Sequence, residues 1–190
     1  DLVRQAILCD ETSRAKYLSR AQELTGLDNP NSPMQLKEYL QEQGLEVESL
    51  AKAEVSKLME VATGDALKVL ELRQLLSKSS VKKYTAMENC CCSNGRAHGL
   101  LQFYGANRTG RWAGRLIQVQ NLPQNHLADL TVARDLVKTG SFDAIEVLYE
   151  NGIPDTLSQL IRTAFVPRQG CKFIVSDYHS IEAVVLAYIS

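Results

Sequence analysis

The feature that most constrains this chain is a change of hydrophobic period near residue 90. Before it, apolar residues recur at helical spacing. Leu2, Val3, Ala6 and Ile7 begin a stripe that Leu18, Ala21 and Leu24 resume, and Gly26 is a fitting stop. Ser32 followed by Pro33 reads as the N-cap and first residue of a second helix. Leu36, Tyr39 and Leu40 give that helix one apolar face, and Gly44 ends it. A short helix near residues 54–61 follows, then a longer one from about Asp65 that carries Leu72, Leu75 and Leu76 toward Lys82 and Lys83.

After residue 90 the period shortens. Ser93-Asn94-Gly95 is a turn signal, and Leu100 to Tyr104 is a short apolar and aromatic run with strand character. Asn107-Arg108-Thr109-Gly110 reads as a hairpin tip and Trp112 to Val119 as the returning strand, closed by Pro123. Helices resume over residues 127–138, stopped by Gly140; over 142–149, capped by Ser141; and over 156–165, capped by Asp155. Residues 171–176, with Lys172-Phe173-Ile174-Val175, read as a buried strand running straight into Asp177, and a helix starts near Ser180. The fold class is therefore α+β: a helical region over 1–90, then a region with an antiparallel sheet over 91–190.

Of the 190 residues, 45% are hydrophobic and 23% charged, a balance that supports a buried core. No apolar run approaches the roughly 18–20 residues a membrane span needs, and no signal segment opens the chain. The chain starts at Asp1 without an initiator Met, inside what reads as a helix, so both ends read as cuts in a longer protein. The five cysteines, Cys9, Cys90, Cys91, Cys92 and Cys171, lack paired spacing, which argues against a secreted disulfide scaffold and suits a reducing cytoplasm. The triple run has no C-x-x-C partner, and adjacent side chains cannot all turn to one ion, so it reads as a small-residue stretch at an element boundary.

The net charge of −1 hides an uneven distribution. Residues 68–115 carry nine basic side chains (Lys68, Arg73, Lys78, Lys82, Lys83, Arg96, Arg108, Arg111 and Arg115) against only Glu71 and Glu88, a net of +7 between acidic flanks. Such a block suits a phosphate-binding stripe, and equally a solvated helix face followed by a basic hairpin. His98, His126 and His179 show no zinc-hydrolase spacing, and the Gly105–Gly110 interval is followed by Arg111-Trp112 where a phosphate loop needs Lys-Ser/Thr.

The most informative stretch is Phe173-Ile174-Val175-Ser176-Asp177-Tyr178-His179-Ser180-Ile181-Glu182. An apolar strand that delivers a carboxylate at its end, just before a helix, holds that carboxylate at the rim of a sheet where Mg²⁺ could use it. An ordinary N-cap Asp has the same pattern. The segment resembles motif A of the family A DNA polymerases, the bacterial polymerase I type, in Asp177, Tyr178, Ile181 and Glu182. His179 and Ser180 fill the two central positions, and Val184 stands where the family usually has Arg. Thr109-Gly110-Arg111 and Gln120-Asn121-Leu122-Pro123 resemble two further family elements, and the run from Ala106 to Pro123 is most similar to polymerases of phage and prophage origin. Asn31 to Leu36 and Glu71 to Leu75 resemble thumb helices, and Leu160 to Phe165 the palm segment before motif A.

The resemblance implies a helical thumb over 1–90 and the first part of a palm over 91–190. It implies template-directed DNA synthesis in a bacterial cytoplasm, from deoxynucleoside triphosphates on a primer-template, with two Mg²⁺ ions. Asp177 would bind both ions, the Tyr178 carbonyl would ligate one, and Glu182 would be the steric gate against a ribose 2′-OH. Arg73, Lys78, Lys82, Lys83, Arg108 and Arg115 are the implied contacts to DNA, together with Arg111, Gln120 and Asn121. The last three suit minor-groove acceptors that all correct pairs display, so they could sense pair shape while ignoring sequence. The family's fingers helix and second metal-binding carboxylate would lie after residue 190, so this piece alone is expected to be inactive. The rival readings are a primer-template-binding module without catalysis, and a helical protein that binds other proteins through its acidic flanks.

Overall fold

A computed structural model describes residues 1–79, 81–176 and 179–190. The order is α1 (Leu2–Thr25), α2 (Pro33–Glu42), α3 (Lys52–Val61), α4 (Gly64–Ser77), α5 (Lys82–Cys90), β1 (Leu101–Ala106), β2 (Arg111–Gly114), α6 (Leu130–Thr139), α7 (Phe142–Leu148), α8 (Gly152–Leu160) and α9 (Ile181–Ile189). This is an α+β chain, dominated by helix, with one antiparallel hairpin.

Local chemistry explains most boundaries. The first apolar stripe continues without a break, so Leu2, Ala6, Cys9, Ser13, Tyr17 and Ala21 form one buried face along α1. Gly26 ends it in the left-handed region at φ 69°, its N–H donating to the Gln22 carbonyl at 2.8 Å. Pro33 opens α2. Asp129 caps α6, its carboxylate accepting from the N–H groups of Thr131 and Val132 at 3.0 Å each.

Two apolar clusters make the core. One joins α1, α5, α6, α7 and α8 around Tyr84, Ile145, Leu157 and Leu160, and takes in Ile117 and Leu122 from the segment after the hairpin. It draws on residues from both sides of position 90. The other lies among α2, α3 and α4 around Leu36, Leu40, Val69 and Leu70. The Tyr84 hydroxyl is buried and donates to the Leu157 carbonyl at 2.8 Å, which satisfies both groups away from water.

Charged side chains tie the two clusters together. The Arg14 guanidinium bonds Asp10 at 2.8 Å and donates to the Leu76 and Lys78 carbonyls at 3.0 and 2.6 Å, closing the end of α4. The Lys78 ammonium meets Asp155 at 2.5 Å, and Gln159 donates to the other Asp155 oxygen at 2.7 Å. Burial tends to raise the Asp155 pKa, but the Lys78 and Gln159 bonds outweigh it and hold the carboxyl below its ordinary 3.8. Because the folded value is depressed, the stability from this link is present above pH 3.8 and lost as pH falls through the folded value. Lys78→Ala should therefore destabilise the fold at neutral pH, by an amount that shrinks below pH 3.8 as Asp155 is protonated. Urea unfolding across that range checks it, and a loss independent of pH would contradict it.

Four expectations need correction. Residues 171–176 are not a buried strand: they carry no strand pairing among the described residues, and Val175 is 91% exposed. An apolar β-branched run becomes a strand only where a neighbour takes its backbone hydrogen bonds, and neither β1 nor β2 lies beside it. The returning strand stops at Gly114 rather than Val119. Leu116 (φ 56°) and Gln118 (φ 53°) both turn left-handed, which breaks the ladder and sends Ile117 into the core. Asp155 is not a helix cap, because α8 starts at Gly152 and Asp155 lies in its first turn. The helix expected to continue to residue 165 ends at Leu160, followed by a tight 3₁₀ turn over Ile161–Ala164.

Candidate functional site

The hairpin and the segment that leaves it form the candidate site, and both are fixed to the body by polar anchors. The Lys83 ammonium on α5 donates to the Ile117 carbonyl at 2.8 Å, at the tight turn just after β2. Arg162 donates to the Leu122 and Pro123 carbonyls at 2.8 and 2.9 Å. These bonds pin both ends of the stretch that carries Gln120 and Asn121. Val119–Asn121 form a 3₁₀ turn, and Asn121 lies 3.5 Å from Gln118. The Gln120 side-chain amide lies directly over Gly114, where any Cβ would collide with it.

The structure brings Arg111 and Glu182 together. Arg111, first residue of β2, forms an ion pair with Glu182 in the first turn of α9. Both side chains are exposed, so the pair adds little stability, and its interest is positional. Two motifs far apart in sequence meet at this point. Asp177 and Tyr178, the expected metal and nucleotide residues, lie outside the described residues.

The basic block does not act as one surface. Lys78 is bound to Asp155 and Lys83 to the Ile117 carbonyl, so each ammonium has a structural partner. Lys68 pairs with Asp65. Arg73 is half-buried, with its Nε shielded from solvent. Lys82, Arg96, Arg108 and Arg115 are exposed, and their side chains make no ion pair among the described residues.

The cysteines are all free thiols. Cys90 ends α5 and Cys91 follows it, so the run does sit at an element boundary. Burial pushes the Cys9 thiol up to about 12, which leaves it protonated and inert. Among the described residues no three His, Cys, Asp or Glu side chains come together in a way that could hold a metal, and no helix is long and apolar enough to cross a membrane. Sequence reasoning missed Arg162 and the anchoring role of Lys83. Their partners are backbone carbonyls, which leave no signal in the sequence.

Comparison with known proteins agrees with the motifs. The family model for DNA polymerase family A matches residues 9–190. The chain is 54% identical to a DNA polymerase of Bacillus phage SP02 over 191 aligned positions, covering all of this chain and 29% of that protein. No solved structure matches it. The chain thus spans under a third of the length of the curated relative it matches, and it belongs to DNA polymerase family A.

Proposed function

We propose that this chain is the part of a template-directed DNA polymerase that reads the primer-template minor groove and guards the sugar of the incoming nucleotide. The observation that carries the reading is the contact between Arg111 and Glu182. Arg111, Gln120 and Asn121 cluster on the hairpin and its exit, where donors can test acceptors common to every correct pair. Glu182, alongside them, occupies the position that would crowd a ribose 2′-OH.

The reaction is attack of a primer 3′-hydroxyl on the α-phosphate of a deoxynucleoside triphosphate, in a bacterial cytoplasm. Asp177 and the Tyr178 carbonyl are the groups proposed to hold Mg²⁺, which when bound stabilises the attacking and leaving oxygens. The described residues present no fit for the ions on their own, so that assignment rests on the motif in the sequence. Lys82, Arg108 and Arg115 are the proposed phosphate contacts. Lys78 and Lys83 support that surface from behind, Lys78 by its bond to Asp155 on α8 and Lys83 by holding the hairpin exit, and Arg73 on α4 is a further proposed contact to DNA.

The test is single-nucleotide extension by the full-length polymerase that carries this segment, with paired deoxy and ribo substrates. Glu182→Ala removes bulk beside the sugar. Deoxynucleotide incorporation should fall modestly while ribonucleotide incorporation rises relative to it. An unchanged ribo-to-deoxy ratio would remove the gate role from Glu182. Activity on the templated base would still separate a polymerase from a module that only binds DNA.

A further inference from the structure

Gln120 and Asn121 belong to no strand or long helix, only to the short 3₁₀ turn Val119–Asn121. Their aim must therefore be set from outside the segment. Ile117 and Leu122 flank it and are both buried in the larger apolar cluster. Apolar burial fixes where those ends sit, but it is non-directional and leaves the peptide groups free to turn. Hydrogen bonds supply the direction. At the exit, the Arg162 guanidinium donates through Nη2 to the Leu122 carbonyl at 2.8 Å and through Nε to the Pro123 carbonyl at 2.9 Å. A planar fork that spans two successive carbonyls fixes their relative orientation, which a single ammonium cannot do. Asn121 is joined directly to Leu122, so its backbone is one residue from the clamp.

The clamp stands on a firm base. Arg162 lies in the 3₁₀ turn after α8, directly following Leu160 and Ile161, which are fully buried. One turn earlier, the Gln159 side-chain carbonyl accepts from the His126 N–H at 2.7 Å, and its amide is held by Asp155. The end of α8 thus grips the exit from the reading segment at Leu122, Pro123 and His126. We propose that Arg162 is a positioning residue for primer-end recognition, which aims Gln120 and Asn121 at the minor groove without itself touching the DNA. This rests on the minor-groove part of the proposed function and deepens it: discrimination at the primer end depends on a cation whose targets are backbone carbonyls.

The test is a cycle between protein and primer. The full-length polymerase carrying this segment is prepared as wild type, Arg162→Ala and Arg162→Lys. Each extends a primer whose terminal purines are either natural or 3-deaza analogues, which lack the N3 acceptor of the minor groove. The wild type should lose about tenfold in rate on the deaza primer. Arg162→Ala should be about tenfold slower than wild type on the natural primer. It should lose little more on the deaza primer, because losses within one coupled unit do not multiply. Arg162→Lys keeps the charge but cannot span both carbonyls, so it should follow Ala, and it carries the same comparison should Arg162→Ala fail to fold. Wild-type rates in the variants, or a full further tenfold loss on the deaza primer, overturn the proposal. Full recovery in Arg162→Lys also overturns it, and makes Arg162 a phosphate contact. In those cases a wild type that still responds to the deaza primer shows that only this inference fails. A wild type indifferent to the deaza primer removes minor-groove reading itself, and this inference with it.

Discussion

Replacing Asp177 by Asn in the full-length polymerase should lower the rate of nucleotide addition by about 10³-fold or more. Asparagine preserves shape and size but removes the negative charge assigned to holding Mg²⁺. Binding of primer-template should persist, because the cationic side chains that face solvent, Lys82, Arg108 and Arg115, belong to α5 and the hairpin region. Rate and affinity should therefore separate. A single-turnover extension assay gives the rate, and anisotropy of a labelled primer-template gives the affinity. Wild-type rates in Asp177→Asn would remove the metal role. Parallel loss of rate and affinity would make Asp177 a structural residue, such as a helix N-cap.

The second large effect is on DNA binding by the chain itself. Charge counting alone would put nine cations on DNA, but the structure commits several of them to internal partners. Lys82, Arg96, Arg108 and Arg115 remain exposed without an ion pair among the described residues. With about four phosphates neutralised, log affinity should fall against log salt with a slope of about −3.6, or about 150-fold between about 50 and 200 mM. Binding that is flat over that range would reject the interface. A slope of about −5 would mean that Lys78 and Lys83 leave their partners to reach the DNA as well.

The contrast between these two counts shows what the sequence can carry. Helices were legible because their signals are local: the stripe from Leu2 to Ala21, the left-handed stop at Gly26, and Pro33 at the start of α2. The hairpin tip was legible for the same reason, since Asn107-Arg108-Thr109-Gly110 does link β1 to β2. Whether residues 171–176 pair as a strand depends on neighbours rather than on their own composition. Partnerships between distant groups were invisible as well. Lys78 meets a carboxylate 77 positions away, and Lys83 meets a carbonyl 34 away. The family was legible because its motifs survive as short runs of residues. The encounter of Arg111 with Glu182 needed the fold.

The most direct measurement is template-directed addition. The full-length polymerase carrying this segment is given Mg²⁺, a primed template, and each deoxynucleoside triphosphate alone, against each of the four template bases. The account predicts one-nucleotide extension chiefly where the triphosphate complements the template base, and none when Mg²⁺ is removed by chelation. Absence of extension under all pairings, or extension indifferent to the template base, would contradict it.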